Sequence, residues 1–194
     1  IIPTGQGHFW AASDEGLHYY SATGGIYKKI QNISLKSIAR TPGDTIWFAA
    51  SALLGYYSFH SPDKEVVIET RFTAVETDTE NNVWAGGIEG LYSQNDHFKT
   101  NFGDRFHELK SRITTIQRAG ENKLWVVTPE SGLLSATIRR GGISRVETVN
   151  TRLAKPIHNI KSLFTEPDGR VWLATNRGVY SLDGTGQVLH FDTH

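Results

Sequence analysis

The ionisable side chains of this chain could in principle hold a metal or act as acid and base, but their spacing gathers them into no catalytic motif. Histidines stand at 8, 18, 60, 97, 107, 158, 190 and 194, and none sits in the helical His-Glu-x-x-His pattern, so a zinc site has little support. There is no cysteine, which excludes thiolate ligands and disulfides and leaves the redox compartment open. Two carboxylates can serve as acid and base at a glycosidic bond. Asp14-Glu15 is the adjacent pair placed in a loop of interest, yet adjacent carboxylates more commonly mark a solvated turn. A Gly-x-Ser-x-Gly elbow, a P-loop and a dinucleotide fingerprint are missing, as are the Ser-x-Asp-x-Gly-x-Thr-Trp boxes of sialidases. No catalytic residue, metal or cofactor is assigned, and binding is favoured over catalysis.

The elements that must carry any binding residues follow from a repeat. Trp10, Trp47, Trp84, Trp125 and Trp172 are spaced by 37, 37, 41 and 47 residues, the length of a propeller blade. The residue before each Trp is apolar: Phe9, Ile46, Val83, Leu124 and Val171. Nine before stands Ile1, Ile38, Val75, Ile116 or Leu163, and twelve before stands Leu35, Phe72, Ile113 or Ile160. Six to eight after each Trp comes Gly16, Gly55, Gly90, Gly132 or Gly178, followed by an apolar or aromatic residue. Polar turn formers, such as Thr41-Pro42-Gly43-Asp44 and Pro167-Asp168-Gly169, precede each Trp. Asn and Gly accept positive φ and Pro presets φ, so these are hairpin turns.

Each unit therefore predicts four short strands, A to D, and the chain an all-β propeller of five blade repeats over 1–31, 32–68, 69–107, 108–150 and 151–194. One such sheet cannot bury both faces, whereas stacked blades bury Trp and its neighbours between sheets. Each tryptophan is thus expected to be largely buried between neighbouring sheets, except at an open end of the array, and several of Gly16, Gly90, Gly132 and Gly178 to have positive φ. No amphipathic helix is expected; Pro156 interrupts the stretch from Leu153 to Ile160, which falls where a loop between blades is due.

Composition limits the partners. Lys plus Arg and Asp plus Glu number 20 each, so the basic footprint of a nucleic-acid binder is absent. No apolar run reaches the roughly 18 residues of a membrane span. The first residues carry no signal-peptide pattern, and the chain has no Met, which predicts an excised or processed segment of a longer protein.

The last unit carries Ile160-Lys161-Ser162-Leu163, then Asp168-Gly169-Arg170-Val171-Trp172-Leu173-Ala174-Thr175, then Gly178-Val179-Tyr180. The third matches through Asn82-Val83-Trp84-Ala85-Gly86 and Gly90-Leu91-Tyr92, and the first through Phe9-Trp10-Ala11-Ala12 and Gly16-Leu17; the second departs at Ser51-Ala52-Leu53-Leu54. This pattern resembles the two-component regulator propeller repeat. The resemblance implies a ligand-sensing region on the periplasmic or extracellular side of a bacterial membrane protein, with glycans or their breakdown products among the ligands. It also implies a larger ring, commonly of seven blades, and so further blades from the same parent chain.

In an A-B-C-D blade the B–C and D–A loops share one end. Here they vary while the A–B hairpins stay short and uniform, and variable loops on a regular scaffold are where recognition tends to lie. The expected ligand residues are Asp14, Glu15, Arg71, Glu89, Arg112, Glu130, His158 and Arg177, a mixed set suited to a small polar ligand such as an oligosaccharide. A second copy of the chain is a further admissible partner. A propeller-type carbohydrate-active enzyme, lyase or hydrolase, and a protein-interaction scaffold are the alternatives.

Overall fold

The computed structural model describes residues 1–58, 64–149, 157–183 and 187–192. His60, His194 and residues 153–156 of the expected interblade loop lie outside them. The described chain is all-β, with short 3-10 turns and no α-helix. The strands fall in chain order into five antiparallel sheets. The first is β1 (Ile2–Gly5), β2 (His8–Ser13), β3 (Gly16–Tyr20) and β4 (Ile26–Gln31). The second is β5 (Leu35–Thr41), β6 (Thr45–Ala50), β7 (Leu54–Ser58) and β8 (Lys64–Ile68). The third is β9 (Phe72–Thr77), β10 (Val83–Gly87) and β11 (Leu91–Ser93). The fourth is β12 (Thr115–Arg118), β13 (Lys123–Thr128), β14 (Gly132–Arg139) and β15 (Gly142–Thr148), and the fifth β16 (Ile160–Thr165), β17 (Val171–Thr175), β18 (Gly178–Leu182) and β19 (Val188–Phe191). Each sheet pairs its strands in simple meander order.

The Trp motif works because strand side chains alternate between faces. The residue before Trp packs toward the preceding sheet, and Trp itself toward the following one. Ile46 joins the apolar cluster between sheets one and two, with Trp10 on its other side. Val83 and Trp47 share the cluster between sheets two and three, and Leu124 and Trp84 that between three and four. Val171 and, at its margin, Trp125 share the last. Two adjacent residues thus serve two interfaces, and the sheets stack in a propeller-like succession. First strands of neighbouring sheets are stitched together: Ser37 accepts from the Val75 amide at 3.1 Å, and the Thr77 hydroxyl donates to the Arg40 carbonyl at 3.4 Å. The Thr73 hydroxyl donates to the Ile113 carbonyl.

Two expectations need correction. The third unit has no fourth strand among the described residues; 3-10 turns at Gln94–Asp96, Phe102–Asp104 and His107–Leu109 take its place. Turn formers explain this. Ser93 caps the first turn through the Asn95 amide, and Asn101 caps the second through that of Gly103. The segment still fills both interfaces, Phe98 entering the cluster of sheets two and three, and Leu109, Phe102 and Phe106 that of three and four. Nor is every tryptophan between two sheets buried, since Trp125 departs from the expectation while Trp172, with no following sheet among the described residues, falls under its exception. Trp10, Trp47 and Trp84 are buried, but Trp125 and Trp172 are half-buried. Among the described residues Trp172 faces no following sheet, and it stacks on Phe191 of its own sheet, ring centres 5.7 Å apart.

The glycines after Trp behave as expected, with φ of 133°, 153°, 71° and 104° at Gly16, Gly90, Gly132 and Gly178. Gly55 has no positive φ, but a Cβ there would lie 2.5 Å from the Glu65 carbonyl oxygen. Close approach of β8, rather than a turn, requires glycine at that point.

Candidate functional site

The B–C and D–A loops lie at one end of the stack, and all eight expected ligand residues are exposed there. Most are dispersed, one or two per sheet. Asp14 is held locally: the Ser34 hydroxyl and the Lys36 ammonium, the latter at 2.9 Å, both donate to Oδ1. These bonds, with Ser34 the larger influence, keep its carboxyl below the usual aspartate range. The Glu15 amide is bonded to Ser13 Oγ at 3.1 Å, an ordinary turn contact. Glu15 and His18 have the spacing of helix-borne zinc ligands, but they sit on a β-hairpin, where positions three apart point to opposite faces. Arg71, Glu89, Arg112 and Glu130 share no concavity with one another among the described cavities.

The fifth sheet does bring two expected residues together. His158 and Arg177 line a cavity of about 210 Å³ with Asn159, Thr175, Asn176 and Tyr180. Its wall is organised from the backbone. Thr175 Oγ1 accepts from the Arg177 amide at 3.0 Å, which forms the turn. His190 Nε2 lies 2.7 Å from the Arg177 carbonyl oxygen. A carbonyl can only accept, so Nε2 carries the proton and, in the neutral ring, Nδ1 is the acceptor. The His190 ring stacks on Tyr180 with centres 4.1 Å apart and planes within 9°. Sequence reasoning missed His190, because its position in the outermost strand gave no reason to connect it with the B–C loop.

Three larger concavities lie at the opposite end, among the A–B hairpins that the sequence marked as structural. One of about 500 Å³ is lined by Trp47, Tyr56, His97 and Phe98, between sheets two and three. A second of about 570 Å³ includes His8, Tyr19, Arg40 and Asp44, between sheets one and two. The third, of about 360 Å³, spans the hairpin ends of sheets three, four and five and is lined by Glu76, Gln117, Arg118, Thr165 and Glu166. Glu76 Oε1 accepts from the Thr77 amide at 2.8 Å. Burial pushes the Glu76 carboxyl above its usual range, against the opposing pull of the Thr77 and Arg118 backbone amides and the Arg118 charge.

Beside this cavity a buried carboxylate organises the third hairpin. Asp78, 3% exposed, accepts from the Glu80 and Asn82 amides at 2.9 Å each, from Asn82 Nδ2 at 3.1 Å and from Trp84 Nε1 at 3.0 Å. The position six before Trp holds Thr4, Thr41, Ala119 and Glu166 in the other units. Ala119 offers no acceptor, and Trp125 Nε1 is a buried donor without a partner. Among the described residues no group of three or more His, Cys, Asp or Glu is arranged to hold a metal ion. No described helix is long and apolar enough to cross a membrane.

Fold and faces define a propeller-like stack with polar concavities at both ends. No protein-family model matches the chain, and no curated protein matches it significantly. Solved structures do. The extracellular domain of BT3049 from B. thetaiotaomicron, named as part of a hybrid two component system, is 16% identical with a TM-score of 0.77; the match covers 99% of this chain and 28% of that one. The extracellular domain of BT4673 from the same organism, named once as a one component and once as a hybrid two component system, matches with TM-scores of 0.75 and 0.74 at 16% and 17% identity. Both BT4673 matches cover 100% of this chain and 27% of the other. At such identity the likeness is one of fold, and the chain spans little more than a quarter of the structures it matches.

Proposed function

We propose that this chain is a ligand-binding segment of an extracytoplasmic sensor propeller, which recognises a small polar ligand, glycans included, at its B–C and D–A loop end. The observation that carries the reading is the cavity of the fifth sheet. It joins two loop residues that can hydrogen-bond a polar ligand, the donor Arg177 and His158, on a strand scaffold. The likeness of fold to extracellular domains of sensor systems supports the sensor role, and the lack of a catalytic motif favours binding over turnover. Titration calorimetry of the chain against a panel of neutral and acidic oligosaccharides tests this. His158→Ala and Arg177→Ala should each weaken binding about tenfold, the loss of one hydrogen bond. Cleavage of a bound oligosaccharide would overturn the reading in favour of a carbohydrate-active enzyme.

The same reading makes the segment part of a longer stack. Phe9 has no preceding sheet and Trp172 no following one among the described residues, and no apolar cluster joins the first sheet to the fifth. The strand registers place Phe164, Trp172, Val179, Leu189 and Phe191 on the outer face of the last sheet, where Phe164 is 58% and Phe191 50% exposed. Further blades of the parent chain would cover this face. A longer chain that includes the adjoining coding sequence should bury Phe164, read as protection from surface labelling; equal labelling in both chains would remove the support.

A further inference from the structure

The geometry points to a second ligand site at the opposite end of the stack, where Glu76, Gln117, Arg118 and Thr165 bind a neutral cyclic polyol. Three neighbouring sheets supply the walls. Glu76 lies near the end of β9, Gln117 and Arg118 close β12, and Thr165 closes β16. The cavity volume of about 360 Å³ lies at the lower end of small-molecule sites and suits a single six-membered ring.

Its chemistry selects a polyol over other ligands. Above the raised range in which it titrates, the Glu76 carboxylate is ionised and offers about four acceptor positions. The backbone amides of Thr77 and Arg118 take two at Glu76, so its remaining lone pairs call for donors from the cavity. The Thr165 hydroxyl donates to Gln117 Oε1 at 3.4 Å, which occupies that oxygen and leaves the amide NH2 to donate. Arg118 adds a further donor. A ring with adjacent hydroxyls both donates to Glu76 and accepts from Gln117 and Arg118. A lone ammonium satisfies only the carboxylate and meets the Arg118 charge. Glu166 adds little net charge, since Arg170 Nε lies 3.8 Å from its Oε2. The lining has no aromatic side chain, so a flat apolar ligand finds no platform.

This site is separate from the His158–Arg177 cavity, so the two readings stand or fall independently. The test is amide-resolved NMR of the chain titrated with myo-inositol to about 50 mM, enough to detect millimolar binding. Cyclohexylammonium, the same ring with one cation and no hydroxyl, is the control. Inositol should shift the amides of Thr77, Arg118, Gly120 and Glu166, and the ammonium should not. Glu76→Gln should weaken inositol binding about tenfold and Thr165→Val about threefold, by loss of one strong and one weak hydrogen bond, while His158→Ala and Arg177→Ala leave it unchanged. If Glu76→Gln does not fold, Thr165→Val, at a half-buried hairpin end, decides alone. No shift at these amides, an equal response to cyclohexylammonium, or an unchanged affinity in the folded variants would overturn the proposal.

Discussion

Asp78 shows how much one buried carboxylate can organise. It receives four donors, two of them backbone amides of its own turn and one the indole of Trp84. Removing it strands those donors, so Asp78→Ala should cost about 2–4 kcal/mol, measured by urea unfolding. The converse holds at the equivalent position of the fourth unit. Ala119→Asn would give Trp125 Nε1 an acceptor without adding a third carboxylate near Glu76 and Glu166. It should gain about 0.5–1.5 kcal/mol; an unchanged midpoint would show that the indole is already solvated. Glu76 makes a prediction about pH. Its carboxyl is raised on folding, chiefly by burial, so the folded chain keeps a proton that the unfolded chain releases. Its contribution to stability is fully present below the unfolded glutamate value of about 4.3 and declines as pH rises through the folded one. Glu76→Gln should remove that decline. A difference between wild type and variant that stays constant from about pH 4 to 7, the interval in which a raised glutamate titrates, would contradict it.

Among the elements, the hairpin between the second and third strands depends on glycine. At Gly178 φ is 104°, and a Cβ would lie 2.3 Å from the Phe191 carbonyl oxygen. Both the turn and the close passage of β19 demand the missing side chain. Gly178→Ala should cost about 1–3 kcal/mol, the usual range for backbone strain; a cost near zero would mean that β19 lies farther away. The third sheet shows how an element can change while its packing role survives. Its fourth strand gives way to 3-10 turns, yet Phe98 and Leu109 still fill the flanking interfaces. Packing between sheets asks for apolar volume at the right depth, and it is indifferent to whether a strand or a turn delivers it.

For the molecule as a whole, stacking makes equivalent residues unequal. Among the described residues Trp84 lies between two sheets and Trp172 against only one. Trp84→Ala should therefore cost about 3–5 kcal/mol and Trp172→Ala about 1 kcal/mol, nearer a surface change. Equal losses would mean that the last sheet is covered in solution. The outer face of that sheet carries an apolar patch, which favours association. The double variant Phe164→Ser, Phe191→Ser should lower self-association in sedimentation with little loss of stability. A large stability loss would show that the face is already buried.

The Trp ruler and its flanking columns determined the repeat and the meander of short strands in each unit, the fourth strand of the third excepted. Those signals are local: hairpin turns, period-two alternation and glycine φ are all set within a few residues. The site was less legible. Variable loops pointed to one end of the stack, and the structure joined only His158 and Arg177 there. His190, Glu76, Gln117 and Thr165 carried no signal, because each gains its place from a neighbouring strand or sheet far along the chain. Asp78 stands six residues before Trp84, but nothing along the chain marked it as the partner of that indole. A cavity's shape, a carboxylate's desolvation and the partner of an indole are properties of surfaces brought together from different sheets. The spacing of residues along one strand does not encode which strand will lie opposite, and only tertiary packing decided these.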